Sequence, residues 1–557
     1  MKFFSPLLVR HRRILLLAGL CFGPSLGFAQ QGISPSGTET FFDDLRQRAS
    51  KYQNQLSQPS DSPGTTPTYT FDGSYYKPTT SATDSNQTVS GQGTPNVGPS
   101  PSPSTNNAYS NNYGREPSTT QDAYVFRGNY FTPASYAPSY SSDPSEGYRN
   151  VKIGPFAAGF KLNLSTEYTD NANRSGTNPI SDILFGANLT ISSSYQFSKM
   201  NRLTLDFGLG LNRYLGHPEL SSTGKSGFGF TVTPGSTLGF DFQVGKLFFT
   251  VYERVAVRPV SNYTFTLYNK DSFGAFFNDF GAGMTWALNS KTNFSVNLNR
   301  SDVISQSDTY NYANRSTDSL SGNLSWSPTG DYTIGVNGNI AITNYRKNFQ
   351  NDNTTSGIGT FLILPLTRST DLRVNLGYQW GKFGQNGSFG DSHQLNDWNG
   401  SVVIRNQLNS RISQSLSLGR ESQLGYTSNY LTTTYATYGF TVIGYKGLRV
   451  NTNIFVEKDN ESGGSQAEDR NRRGVDVYLS YRLNTKLTLG GGYHYGLVSS
   501  DLANRSYHEQ SSWIDFSWPV NEKSSLSLGY RYWKTDGQSP SNSYRQNRVT
   551  LNINHSF

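Results

Sequence analysis

The sequence predicts an all-β protein, a transmembrane antiparallel up-and-down β-barrel of about 20 strands, with 16 and 18 as the alternatives. Three observations lead there. In the last ten residues Val549, Leu551, Ile553 and Phe557 take one parity, and Arg548, Thr550, Asn552, Asn554 and Ser556 take the other. Successive strand side chains point to opposite faces, so this stretch has one apolar face and one wet face. From Ala158 onward the same alternation recurs to the end. It is interrupted in turn by few-residue turns and by longer stretches rich in Asn, Asp, Ser and Gly. Finally, the mean hydropathy is low, −0.56, although the 557 residues include 35 Tyr and 34 Phe beside 55 Gly. A barrel wall reconciles these values, because only every second residue must be apolar.

The final strand resembles the closing strand of bacterial outer-membrane barrels. That resemblance implies that Val549, Leu551, Ile553 and Phe557 form a signal for barrel-assembly machinery. The position two before the terminal aromatic is His555, where the pattern has an apolar or aromatic residue. Taken alone, these ten residues would also suit the edge strand of a soluble β-domain.

The chain begins with a secretory leader. Arg10, Arg12 and Arg13 precede the apolar run Ile14 to Phe22, and small residues lead to Ala29, where cleavage is expected. Leu20 before Cys21 argues against lipidation, which needs a small residue there. Cys21 is the only cysteine, so the mature chain has no thiol and no disulfide. The net charge is +8, and losing the four basic residues of the leader leaves +4. That is too little over this length, with no concentrated basic patch, to point to nucleic acid.

Residues 30–150 are rich in Ser, Thr, Pro, Asn, Gly and Tyr. Such a stretch buries too little to offset its ordering entropy, so a disordered periplasmic segment is expected before a barrel over 151–557. Within it, Phe41, Leu45, Ala49 and Tyr52 suit one face of a short helix over 40–56. A motif, Tyr-x-Phe-x-Gly-x-Tyr-aromatic-x-Pro, occurs from Tyr69 and again from Tyr124, as two copies of a docking element would.

Hairpin register can be read from the apolar positions. Folding at Thr485 places Val477 opposite Tyr493, Tyr481 opposite Leu489 and His494 opposite Asp476. Folding at Met200 pairs Phe197 with Leu203 and Tyr195 with Leu205. Aromatics near strand ends, Tyr168, Tyr195, Tyr214, Tyr345, Trp380, Tyr426, Tyr445, Tyr530 and Tyr532, are expected to form the interfacial girdles.

With the apolar parity outward, Arg254, Arg258, Arg373, Arg405, Arg449, Arg482, Arg531 and Arg548 face inward, as do Asp206, Asp279, Glu457, Asp476 and Asp515. His494 joins them as a lumen-lining residue. This balance predicts a mildly positive, wet lumen that favours anions weakly or passes neutral solutes. The mature chain has His217, His393, His494, His508 and His555 but no two-His metal spacing and no phosphate loop. No cofactor, metal or enzymatic activity is expected. The Asp476–His494 pair, with Ser480 and Ser517 on the same parity, is the one arrangement that a hydrolase could use. Ala-Asn-Arg-Ser occurs at 172–175, 313–316 and 503–506, in expected external loops, where a shared role in binding an anionic surface sugar is conceivable.

The stretch Glu167-Tyr-Thr-Asp-Asn171, then a polar loop and Ser181-Asp-Ile-Leu-Phe185, resembles the opening hairpin of the β-barrel porin family found with exopolysaccharide export systems. The resemblance covers residue 158 to the end. It implies an outer-membrane channel serving polysaccharide export or passive solute diffusion, with lipid, assembly machinery and export components as partners. A plugged scaffold or adhesin, and an outer-membrane hydrolase, are the alternatives.

Overall fold

The computed structural model describes residues 151–557, apart from 199–200, 221–228, 261–272, 307, 330–331, 426–427, 445–447, 466, 485–486 and 539–542. The leader, the expected helix over 40–56 and both copies of the aromatic motif lie outside the described residues.

The first strands are β1 (Val151–Ile153), β2 (Phe156–Thr169), β3 (Asp182–Gln196), β4 (Arg202–Tyr214), β5 (Gly229–Val244), β6 (Leu247–Val260) and β7 (Phe273–Asn289). Then come β8 (Thr292–Ser305), β9 (Arg315–Trp326), β10 (Thr333–Tyr345), β11 (Asn353–Thr367), β12 (Thr370–Phe383), β13 (Leu395–Asn409) and β14 (Ile412–Leu424). The last are β15 (Tyr430–Ile443), β16 (Arg449–Glu461), β17 (Arg470–Arg482), β18 (Thr488–Ser500), β19 (Tyr507–Pro519), β20 (Ser524–Gly537) and β21 (Tyr544–Ser556).

Each strand from β2 to β21 pairs antiparallel with its sequence neighbours, and β21 pairs back onto β2, from Lys161–Ser556 to Thr169–Arg548. The ring is therefore closed at 20 strands, without a free edge. β1 folds against Phe156–Ala158 of β2, on the side that β21 leaves free where it ends. Because the strand number is even, Val151 and Phe557 lie at the same end, that of the short turns.

Turns of two to six residues make that end; in the two-residue turn Gly245–Lys246, Gly245 holds φ +60°, which a residue without Cβ adopts at no steric cost. At the other end the connections are mostly longer, although 425–429 is not. Register slips between β4, β5 and β6 around Pro234, and again next to Pro365 in β11. Proline has no N–H to give the ladder, so the slip around Pro234 is a bulge at the missing donor, whereas the one beside Pro365 matches those at 287/289 and 407/409 next to two-residue turns.

The outer face is apolar and exposed. Leu376, Ile454 and Val456 are more than half exposed, and so many others of the outward parity are open that no water-soluble surface would carry them. The inner face holds Asn, Ser, Thr, Gln, Gly and charged side chains. They are most buried in the half nearer the long loops, as β12 shows: Gln379, Gly381 and Phe383 are buried where Asp371 is open.

The hairpin folded at Thr485 has the expected register, with Val477 on Tyr493, Tyr481 on Leu489 and Asp476 on His494. The hairpin at Met200 differs. Tyr195 pairs with Leu203, not Leu205, because the turn closes with the Phe197 N–H on Asn201 O at 2.9 Å. A shift of two residues preserves parity, so the apolar face is unaffected.

The girdle also needs correction. Tyr168, Tyr195 and Tyr530 are outward and exposed, and Tyr195, Phe197, Phe240, Phe242 and Phe249 form a chain of ring contacts near the short turns. Tyr214, however, faces inward and packs with Leu184. Tyr345 shares the inward parity of Ala341 and Thr343. Tyr426 and Tyr445 lie outside the described residues.

Candidate functional site in the lumen wall

One side of the lumen is charged and internally paired. On β17 and β18, His494 Nδ1 is 2.6 Å from Asp476 Oδ1, and Nε2 is 3.4 Å from Glu509 Oε1 on β19. The imidazole lies nearly parallel to the Phe455 and Trp533 rings, 6.4 and 6.3 Å between centroids. Above it, Arg472 binds Glu457 at 3.1 Å, and Thr433 donates to Asp459 at 2.6 Å.

This geometry does not build a hydrolytic triad. Such a triad needs one ring nitrogen turned to a serine hydroxyl, and here both nitrogens face carboxylates. The serine across the ladder from His494 is Ser511, while Ser480 and Ser517 pair with Gly490 and Thr488.

The inward arginines are spread over the wall. Arg254 is buried on β6, 4.1 Å over the Tyr252 ring and across the ladder from Asp279. Tyr252 itself lies over Gly281, where a Cβ would have no room. The side chain of Arg258 lies outside the described residues; its backbone pairs with Ala275. Arg531 and Arg548 face each other across β20 and β21. Arg548 donates to Gln546 Oε1 at 2.9 Å and sits 3.7 Å from Glu167. Arg373, Arg405, Arg449 and Arg482 gather in the third nearest the short turns, on β12, β13, β16 and β17, with Asp371 opposite Arg405. Arg482 is exposed at the mouth. Counting charges by parity hid this arrangement by height: these four arginines lie low, whereas Arg470 and Arg472 of β17 lie high, beside Asp459 and Glu457.

A second side of the lumen, on β8 to β11, carries almost no charge. The inward parity there bears mostly Ser, Thr, Asn and Gly, interrupted by Val303, Ala341, Tyr345, Phe361, Ile363 and Pro365, and its one charged side chain is Arg315, at the start of β9. The sequence held the signal for this side, but only after register assigned each residue to a face.

The opening Glu-Tyr-Thr-Asp-Asn stretch fastens the seam of the barrel. Asp170 accepts the Asn547 N–H at 2.7 Å and its amide at 2.6 Å, and Asn171 donates to Arg545 O at 2.8 Å. At the other end of the seam Phe557 N–H donates to Phe160 O at 3.0 Å, while Val549, Leu551 and Ile553 face outward. His555 lies 2.9 Å from Ser524 Oγ and edge-on to Phe557.

At the long-loop end Asp391 ties several connections together. It accepts the Asn429 N–H at 2.7 Å, the His393 N–H at 2.9 Å and the Ser462 hydroxyl. Asn351 adds a bond to Asp391 O at 2.7 Å. Burial pushes the Asp391 carboxyl up, but the donors from Asn429, Ser462 and His393 outweigh it and hold it below the ordinary aspartate value. The three Ala-Asn-Arg-Ser copies share no common geometry: the Arg174 and Arg505 N–H groups each bond the carbonyl three residues back, at 3.2 and 3.3 Å, whereas Arg315 opens β9. Arg505 pairs with Glu468 in a loop, Arg174 sits at φ 50°, and Arg315 is buried in β9. A common sugar site is therefore not formed.

A closed ring of strands, apolar outside and polar within, is the architecture of an outer-membrane β-barrel, and this protein is one. No helix of the described residues is long and apolar enough to cross a membrane, which leaves crossing by strands untouched. Among the described residues no group of three or more His, Cys, Asp or Glu could hold a metal ion. No family model matches the chain, and no curated protein matches its sequence. Similar solved structures include the siderophore receptor PirA from Pseudomonas aeruginosa, at 12% identity and TM-score 0.43, over 72% of this chain and 80% of that one. The FrpB iron transporter from Neisseria meningitidis has 10% identity and TM-score 0.46, over 75% and 83%. The copper transporter OprC has 10% identity and TM-score 0.45, over 73% and 81%. Iron and copper transport are said of those proteins.

Proposed function

We propose that the protein is a passive outer-membrane channel that carries polar solutes or an exported polysaccharide through its lumen. The observation that supports this reading is the polar inner face, continuous around a closed ring of 20 strands. In this reading residues 1–29 are removed on export, residues 30–150 face export components in the periplasm, and 151–557 form the channel. The terminal strand, with Val549, Leu551, Ile553 and Phe557, presents itself to the assembly machinery. Selectivity comes from Arg373, Arg405, Arg449 and Arg482 low in the lumen, where Asp371 is the facing carboxylate on β12, and from Arg254, Arg258, Asp476, His494, Arg531 and Arg548 above them. Arginines gathered near one mouth raise the local concentration of anions.

Planar bilayers holding the refolded full-length mature chain under a salt gradient test this. A steady current with a reversal potential of weak anion preference is expected. Clear cation selectivity would overturn the assignment of the arginines.

A second reading, a plugged scaffold or adhesin, draws on the burial of inward side chains near the long loops and on the connections tied through Asp391. It predicts no steady current in the same bilayers.

A further inference from the structure

We infer that β8 to β11 form a track for an uncharged, polyhydroxylated chain, a neutral glycan, along one side of the lumen. The inference rests on the channel reading and names the class of substrate.

The first support is charge. On the inward parity of these four strands the one charged side chain is Arg315, at the long-loop end. A polyanion moving along this side would lose water without meeting a cation, and a polycation would meet no carboxylate.

The second support is unmet hydrogen bonding. The side-chain carbonyl oxygens of Asn297, Asn299, Asn323 and Asn339 accept no hydrogen bond within the protein, and Asn323 and Asn339 are only half-buried, so a turn of the amide presents the oxygen to the lumen. An ionised carboxylate or phosphate can only accept, and would leave them unmet. A sugar hydroxyl donates and accepts, and so matches both ends of an amide.

The third is placement. The ladder sets Asn297 beside Ser321 and Ser321 beside Asn339, while Asn323 lies beside Ser295 and Asn337. Rows of inward residues repeat every second residue, about 6.6 Å along the strand. Amide and hydroxyl groups thus recur along the direction of travel, and the groups lie on four neighbouring strands of one rigid sheet. A long chain can exchange one set of bonds for the next without passing a charge.

The test uses the full-length mature chain in planar bilayers. A linear neutral oligosaccharide of glucose and an oligouronate of equal length are added in turn, and block of the ion current is titrated. The neutral oligosaccharide is expected to block at the lower concentration. Asn297→Leu with Asn339→Leu should weaken that block about tenfold, the equivalent of two lost hydrogen bonds, with the unblocked conductance little changed. Asn323→Leu gives a second, independent reading if the double variant does not refold. Stronger block by the oligouronate, or block by the neutral chain that neither variant weakens, would overturn the track. Absence of any steady current would instead overturn the channel reading on which it rests.

Discussion

Leu376→Arg lowers the unfolding free energy of the bilayer-embedded barrel by about 2–4 kcal/mol, whereas Asn375→Arg, one residue away, changes it by less than about 0.5 kcal/mol. Leu376 is at the middle of β12, outward and 56% exposed, so its replacement puts a guanidinium among acyl chains at the depth where water is scarcest. Asn375 points the other way, donating to Ser401 Oγ at 3.1 Å, and an arginine there extends into a polar lumen. Urea titration of both variants in lipid vesicles measures the difference. Equal effects at the two positions would mean that the exterior of the ring does not meet lipid.

The seam gives the second large effect. Asp170→Ala removes the acceptor of two hydrogen bonds from Asn547 and leaves both donors unmet where the first loop joins β21. Hydrogen bonds to a charged acceptor are the strong ones, so a loss of about 2–4 kcal/mol is expected. Among the described strands β2 and β21 are neighbours in the ring but not in sequence, so their contact has to be made across the whole barrel sequence. Losses here should open the ring before the hairpins separate. A double-mutant cycle of Asp170→Ala with Asn547→Ala isolates the term, with a coupling of about 1–3 kcal/mol expected. Additive single effects would show that closure rests on the backbone ladder alone.

These two residues also show what the sequence revealed and what it did not. The face of each strand was legible because lipid demands an apolar side chain at every second position, and a parity error would turn a whole strand inside out. Hence Leu376 and Asn375 could be assigned without coordinates, as could His494 opposite Asp476. Asp170 could be noticed only through the resemblance of its surroundings, because its partner Asn547 is 377 residues away and no local pattern links them. The turn at Met200 was misplaced by one residue for a related reason: parity is unchanged by a shift of two, so the apolar pattern cannot detect one. Tyr214 was expected at the lipid interface because its type suits it, yet its position in β4 shares the parity of Asn212 and turns inward. The uncharged track and the low arginines needed something more. Parity states the face, but height and neighbours come only when every register is known, and it is neighbours that decide whether an arginine is paired, stacked or open.

Cys21 is the single cysteine of the sequence, so a chain prepared from residue 30 onward has no native thiol, and the most direct measurement is a scan of single cysteines, each carrying a spin label, from Leu372 to Tyr378 in the refolded barrel in bilayers. Collision with oxygen, which concentrates in lipid, should peak at 372, 374, 376 and 378. Collision with a water-soluble metal complex should peak at 373, 375 and 377. Reversed phases, or two profiles that rise and fall together, would contradict a barrel with lipid outside and water within.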